Sequence, residues 1–197
     1  MLMPDNDNWI TQLAEKGKKG NNASLERLVD HFYGAIFRMV YYRIPSRMDA
    51  EDLTQDIFRQ MIKSLPNLKD PDKLKPWLFR LALNRIRDFY RKKSILSFFG
   101  STIEIDADAQ ATEDSHHDPL KNLMQKELQT QFWQFSKGLP RWEREVFILR
   151  FMDNLDLTDI AQVLKKNVNT IKTHLYRAVK KFRNNAELHA LLKGDEP

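Results

Sequence analysis

Apolar residues recur along this chain at intervals of three and four. Leu25, Leu28, Val29, Phe32, Ile36 and Val40 fall on one stripe of a helix, and Ser24 stands where a cap is expected. Ile44-Pro45-Ser46 ends the run, because a residue before proline is pushed out of helical backbone. A second stripe holds Leu53, Ile57, Met61, Ile62 and Leu65. Asp49, Glu51 and Asp52 near its start suit the positive end of a helix dipole. Pro66 to Pro71 reads as a loop. A third helix is expected from about Pro76 to Lys93, with Trp77, Leu78, Leu81, Ile86 and Phe89 inward. Proline in its first turn gives up no helical hydrogen bond. Before Ser24 the chain is polar, and Gly17 and Gly20 are expected to interrupt any early helix. Three amphipathic helices with short connections make a bundle.

The pattern resumes at Leu120, Leu123, Leu128, Phe132, Phe135 and Leu139, and Gly138 and Pro140 stop it. Trp142, Val146, Phe147 and Leu149 predict a fifth helix. Two short ones follow, near Thr158–Lys165 and Val168–Phe182. No segment sustains the period-two alternation of a strand, and Ile103-Glu104-Ile105 is too short to count. The predicted fold is all-α: two small helical domains, residues 1–97 and 120–197, joined by a flexible linker over 98–119.

Charge sharpens that division. Of 197 residues, 32 are Lys or Arg and 27 Asp or Glu. Residues 1–100 hold 18 basic and 12 acidic side chains, and residues 120–197 hold 14 and 9. Between them, residues 101–119 carry no Lys or Arg and six acids: Glu104, Asp106, Asp108, Glu113, Asp114 and Asp118. Two basic bodies attract phosphate backbones, and the acidic strip reads as a mobile linker. The absence of cysteine excludes disulfides and thiolate chemistry. No stretch reaches the ~20 apolar residues of a membrane helix, and Met1 to Trp9 lacks the apolar core of a signal peptide. A cytoplasmic protein is expected. Neither GxGxxG nor GxxxxGK[ST] occurs, so the common nucleotide cradles are missing, and no cofactor is expected.

The last two helices carry the clearest chemistry. Thr158 is expected to cap the first, which contains Ile160, Ala161 and Leu164, and Asn167 the second. Ile171, Leu175, Val179 and Phe182 would face inward. Asn169, Thr170, Lys172, Thr173, Tyr176, Arg177 and Lys180 would face out. This is the layout of a helix-turn-helix, whose second helix enters the major groove. Asn169, Thr170, Thr173 and His174 could read base edges, and Lys165, Lys166, Lys180 and Lys181 could hold phosphates. A helix pair with a solvated basic face has the same periodicity.

A second basic face lies on the third helix, where Arg80, Asn84, Arg87 and Arg91 share one side and Tyr90, Lys92 and Lys93 extend it. Arginines beside an amide and an aromatic suit phosphate binding with stacking on an unpaired base. A solvated charged face is the alternative. The acids Asp49, Glu51, Asp52 and Asp56 admit a metal or catalytic reading, but no histidine converges on them and the helix dipole accounts for them; a protein-docking face fits better. His116-His117, in a polar linker, is expected to bind no metal. Trp77 and Trp142 lie on apolar stripes and are expected in the core, whereas Trp133 fits either core or surface.

Three motifs resemble one family. Asp49-Ala50-Glu51-Asp52-Leu53-Thr54-Gln55-Asp56-Ile57-Phe58, Pro76-Trp77-Leu78-Phe79-Arg80-Leu81-Ala82-Leu83-Asn84, and Leu157-Thr158-Asp159-Ile160-Ala161 with Thr170-Ile171-Lys172-Thr173-His174-Leu175-Tyr176-Arg177-Ala178 are similar to those of bacterial RNA polymerase sigma factors. Their order matches the extracytoplasmic-function group, which keeps the second and fourth sigma domains. The resemblance spans roughly residues 24–93 and 120–184.

The resemblance implies a non-enzymatic factor that gives polymerase its promoter specificity. Asp49, Glu51, Asp52, Gln55, Asp56 and Phe58 would dock on the polymerase core, at a coiled coil of the β′ subunit. Arg80, Asn84, Arg87, Tyr90, Arg91 and Lys92 would meet the minus-ten element, with the loop Leu65–Lys73 holding a flipped non-template base. Asn169, Thr170, Lys172, Thr173, His174, Tyr176, Arg177 and Lys180 would read the minus-thirty-five element. Trp142 to Phe151 would lie near the tip of the β-subunit flap, the acidic linker would mimic RNA, and an anti-sigma protein is a candidate partner. Two residues depart from the family: Lys165 stands where glycine is common, and His174 where arginine is usual. The alternative is a stand-alone helix-turn-helix regulator that binds duplex DNA without polymerase. An enzyme acting on nucleic acid would need a carboxylate or histidine site, and none converges in the sequence.

Overall fold

The computed structural model describes residues 8–98 and 131–185, with side chains over 8–93 and 131–185. The acidic strip, His116-His117 and the apolar positions Leu120, Leu123 and Leu128 lie outside these residues. The chain divides into two compact units, Met1–Ala109 and Gln110–Pro197. The described parts of both are helical, without a strand.

Unit 1 contains α1 (Asn8–Lys18), α2 (Asn22–Tyr41), α3 (Arg47–Ser64) and α4 (Leu74–Phe98), with two short 3-10 turns, Leu65–Asn67 and Pro71–Lys73, between α3 and α4. The first helix overturns the expectation of a broken N-terminus. Gly17 lies inside α1 as a packing position, where a Cβ would sit 2.9 Å from a methyl of Leu25. Gly20 ends the helix with φ of 83°, a backbone glycine adopts without steric cost. Ile10, Leu13 and Ala14 are buried, and α1 packs on α2.

Asn21, not Ser24, caps α2: its Oδ1 accepts from the Ser24 amide at 2.9 Å. Ser24 occupies the third helical position and is itself buried. Leu28, Phe32, Ile36, Met39 and Val40 are buried on the inner side of α2, which packs on α3 and α4, where Ile57, Met61, Leu74, Leu78 and Ile86 are buried as well. The α3 cap is Ser46, whose hydroxyl accepts from the Asp49 amide at 3.3 Å. Helix α4, Leu74–Phe98, extends beyond both ends of the expected Pro76 to Lys93. Ile62 is exposed, and Leu25, Val29, Leu53, Trp77, Leu81 and Phe89 are only half-buried, so these members of the expected stripes sit at the rim of the core.

Unit 2 is built from shorter pieces. Residues 131–137 are helical (α5), followed by α6 (Arg141–Phe151), α7 (Leu157–Leu164) and α8 (Val168–Arg183). Its core joins Leu139, Phe147 and Ala178, with Phe132, Phe135 and Phe182 packed on them. The four phenylalanine rings lie with centroids 5.0–5.8 Å apart along their contacts, within the range of favourable aromatic pairs. Arg144 fastens the end of α5 by donating to the carbonyls of Ser136, Lys137 and Leu139. These are groups a helix C-terminus leaves unpaired.

Candidate nucleic-acid interface

The α7–α8 pair begins with a cap that differs from expectation. Asp156 rather than Thr158 accepts from the Asp159 amide, at 2.7 Å, because its extended backbone directs the carboxylate over the first turn. Asn167 caps α8 as expected, accepting from the Asn169 amide at 2.8 Å. Between the helices the chain reverses through Lys165, with φ of 53° and ψ of 47°. The Lys166 amide donates to the Ala161 carbonyl at 2.9 Å and the Lys165 amide to Gln162 at 3.4 Å. This double bond pattern closes a helix on a left-handed residue. Lys165 therefore occupies backbone that favours glycine, at a cost of about 1 kcal/mol.

Helix α8 buries Ile171 and Ala178 fully. Leu175, Val179 and Phe182, expected inside, are only half-buried: the small Ala178 lets α6 approach, and the larger side chains spread around that contact. Asn169, Thr170, Lys172, Thr173, Tyr176, Arg177 and Lys180 are all exposed on one side, Tyr176 to 70%. The Thr173 hydroxyl donates to the Asn169 carbonyl at 3.0 Å, which fixes its rotamer while leaving its methyl and lone pairs outward. His174 is half-buried, and its Nδ1 is enclosed without a hydrogen-bond partner.

Two cations expected at phosphates are engaged elsewhere. Lys181 donates to Glu143 of α6 at 2.8 Å; the carboxylate is almost wholly enclosed, so the pair ties α6 to α8. The Lys166 ammonium sits 4.0 Å from the centre of the Trp142 ring, and the Arg141 guanidinium 5.1 Å from it. Trp142 is thus a half-exposed platform for cations from two elements rather than a core residue. Periodicity places Trp142 inward; only the three-dimensional turn brings Lys166 over it.

On α4, Asn84, Arg87, Tyr90, Arg91 and Lys92 are exposed and Arg80 half-buried, so the expected face is formed. It is less uniformly cationic than the sequence suggests. Asp88 lies within it and pairs with Arg91 at 3.0 Å. The Tyr90 hydroxyl donates to the carbonyl of Arg43, beyond the end of α2, and fixes the ring while 37% of the residue stays exposed. Burial pushes the Tyr90 phenol above its usual range, opposed by the charge of Arg43. This tie spans 47 residues, and no local pattern announces it. Arg85 donates to Gln60 at 2.9 Å and joins α4 to α3.

The acidic motif lies on α3. Asp52, Gln55 and Asp56 are exposed, Asp49 and Glu51 partly so. Glu51 pairs with Arg47 at 2.8 Å and Asp56 with Arg59 at 2.9 Å. Phe58, expected at a docking surface, is instead buried against Tyr33, with ring centres 5.9 Å apart. Its position one turn after Thr54 puts it on the inner side of α3. In the α3–α4 connection, expected to be an open loop, Asp70 accepts from the Asp72 amide at 3.2 Å and pairs with Lys73 at 2.7 Å. That hydrogen bond holds the Asp70 carboxyl below and the Lys73 ammonium above their ordinary values. Among the described residues no group of three or more His, Cys, Asp or Glu could hold a metal ion. No helix among them is long and apolar enough to cross a membrane.

Comparison with known proteins matches the two units separately. Residues 28–95 fit the model of sigma-70 region 2 and residues 131–182 that of sigma-70 region 4, together more than half of the chain. RNA polymerase sigma factor SigV of Bacillus subtilis (strain 168) is 28% identical over 169 residues, covering 85% of this chain and 94% of its own length. The ECF RNA polymerase sigma factor SigW of the same organism is 28% identical over 184 residues, covering 88% and 95%. Among solved structures, CnrH in complex with the cytosolic domain of CnrY shares the fold with a TM-score of 0.63 and 23% identity, over 95% of this chain and 99% of that one. The sigma factor RpoE bound to the anti-sigma factor NepR, from Bartonella quintana, gives 0.59 and 22%, over 87% and 99%.

Proposed function

The chain belongs to the sigma-70 family of RNA polymerase sigma factors, in its extracytoplasmic-function group, and from that membership we propose how its two units divide the work of initiation. The protein directs promoter-specific transcription by RNA polymerase. Sigma factors are in general non-enzymatic initiation factors, and we read this chain in the same way: the polymerase performs the chemistry, in the cytoplasm. A stand-alone helix-turn-helix regulator is not favoured, since it would have no use for a region 2 unit.

The observation that carries the division is the pairing of one region 2 match with one region 4 match, in that order, on two separate units. Residues 1–97 would bind the polymerase core and the minus-ten element. Exposed Asp52, Gln55 and Asp56 support a docking surface on α3, joined by the partly exposed Asp49 and Glu51. Phe58 would act from beneath, holding α3 against α2. The face of Arg80, Asn84, Arg87, Tyr90, Arg91 and Lys92 would receive the minus-ten strand. Its pinned tyrosine supports stacking on an unpaired base, because a ring held in place loses little freedom on binding.

Residues 120–197 would read the minus-thirty-five element through α8. The outward row from Asn169 to Lys180 supports this, with Asn169, Thr170 and Thr173 at base edges, the half-buried His174 beside them, and Lys165 and Lys180 at phosphates. The linker 98–119, with six acids and no Lys or Arg over 101–119, would follow the path of RNA. Core polymerase, promoter DNA and an anti-sigma protein are its partners in this reading. The last is extended from the Bartonella relative, which is bound to one.

Core polymerase and the purified chain should together start transcripts at defined sites on genomic fragments, where core alone does not. Asp52→Ala should lower co-elution with core and leave duplex binding intact; Thr173→Ala should shift the preferred minus-thirty-five sequence and leave co-elution intact. Absence of any defined start site, or both variants failing in the same assay, would refute the division.

A further inference from the structure

Helix α1 takes no part in either surface described above, yet it makes the most specific contacts in unit 1 with the connection between α3 and α4. That connection consists of two single 3-10 turns, a form with poorer hydrogen-bond geometry than an α-helix, and its internal bonds leave the joint at Leu68 to be held from outside. Three features of α1 supply what it lacks. The Lys18 ammonium donates to the Leu68 carbonyl, at the joint between the two turns. The Thr11 hydroxyl donates to Asp72 Oδ1 at 2.8 Å, in the second turn. Gly17 gives Leu65 room at the first turn, where a Cβ would come within 3.1 Å of its methyl. The helix is itself fixed on α2 by Ile10, Leu13 and Ala14, and by the Trp9 ring, whose centre is 4.8 Å from that of His31.

We propose that α1 is a brace that presets the connection 65–73, and that Lys18 and Thr11 are positioning residues for its recognition of one unpaired base of the non-template strand. This rests on the reading of that connection as the element that holds the base. One contact falls at Leu68, between the exposed Asn67 and Lys69, and the other at Asp72, three residues beyond Lys69. They engage its backbone at Leu68 and one of its carboxylates from the protein side. The acid Asp70 is occupied by Lys73 and Asp72 by Thr11, so the face left for a base is short of free carboxylates and is held at Leu68 and at Asp72. A recognition element ordered before binding spends less of its contact energy on ordering itself, and a loosened one discriminates less well. Neither Lys18 nor Thr11 touches the base in this scheme. They set where the atoms that do touch it stand.

The test uses holoenzyme assembled from core polymerase and the full chain, with a single-stranded non-template library randomised across the minus-ten region. Sequencing of bound strands gives the base preference at each position. Wild-type holoenzyme should show one position with a preference of roughly five- to hundredfold, the size of one recognised base. Asn67→Ala, in the connection itself, should flatten that position. Lys18→Met and Thr11→Val should flatten the same position to less than about twofold, leaving preferences elsewhere, co-elution with core and melting temperature unchanged, and Lys18→Arg and Thr11→Ser should restore it. If Asn67→Ala flattens the position while Lys18→Met and Thr11→Val together keep it, the brace is wrong. If all positions weaken alike, or the conservative variants fail to rescue, α1 is only a part of the fold. If Asn67→Ala changes nothing, the reading of the connection itself falls, and the brace with it.

Discussion

The corner between α1 and α2 and the corner between α7 and α8 close by the same hydrogen bonds. In the first, the Gly20 amide donates to Gly17 at 2.9 Å and the Asn21 amide to Lys16 at 3.1 Å. In the second, Lys165 and Lys166 repeat the pattern toward Gln162 and Ala161. Each turns on one left-handed residue, Gly20 at φ 83° and Lys165 at φ 53°. Each then enters a helix capped by an asparagine, Asn21 or Asn167. The difference is the residue at the turning point. Nothing lies within 4 Å of a Cβ placed on Gly20, so its backbone angle alone favours glycine there. Lysine stands at the matching place in unit 2 although it costs about 1 kcal/mol. The geometry of such a corner therefore does not choose its residue. At the unit 2 corner a cation stands next to the proposed reading helix despite the strained backbone; at the unit 1 corner, away from the proposed minus-ten face, glycine removes the strain.

The two corners rest on different cores, and the largest expected effect separates them. Phe147→Ala removes the ring that contacts Phe132, Phe135 and Phe182, and should cost about 3–5 kcal/mol. Hydrogen exchange should then show α6–α8 amides unprotected and α1–α4 amides unchanged. Loss of protection at the Gly20 corner would show that the units do not fold separately. Removing the caps should cost less and equally: Asn21→Ala and Asn167→Ala each about 1 kcal/mol in thermal melts. A loss at Asn167 several times that at Asn21 would end the likeness. Smallest is the exchange of turning residues. Gly20→Lys should destabilise unit 1 by about 1 kcal/mol, whereas Lys165→Gly should stabilise unit 2 by a few tenths, about what relief of strain leaves after the added freedom of the unfolded chain. Lys165→Gly should also weaken duplex binding and lower the slope of log affinity on log salt by about 1. An unchanged slope would leave the lysine unexplained.

Long amphipathic runs were legible in the sequence because one helix face alone reports them. That is why α2, α3, α4 and α8 fall where their periodicity places them, and why the exposed row from Asn169 to Lys180 could be named in advance. Positions decided by distant partners were not legible. Gly17 reads as a breaker until Leu25 and Leu65 are seen to need its missing side chain. Phe58 belongs to the docking motif by sequence and to the core by its contact with Tyr33. Trp142 lies on an apolar stripe, but Lys166 reaches it from the far side of a turn. Caps were misjudged at Ser24 and Thr158, where another residue able to cap, Asn21 or Asp156, stood two or three positions earlier. Only the extended backbone of the true cap distinguishes them.

The brace between α1 and the α3–α4 connection has a consequence in time. Most helices here pack on a neighbour in sequence, and such local contacts form early and quickly. The bond from Thr11 to Asp72 joins residues 61 apart. On a ribosome adding ~5–20 residues per second, α1 emerges roughly 3–12 s before its partner in the connection exists. During that interval Lys18 and Thr11 have nothing to hold. Helix α1 thus completes its contacts only after α2, α3 and the connection have been made, and unit 1 acquires a set connection just before α4 is synthesised.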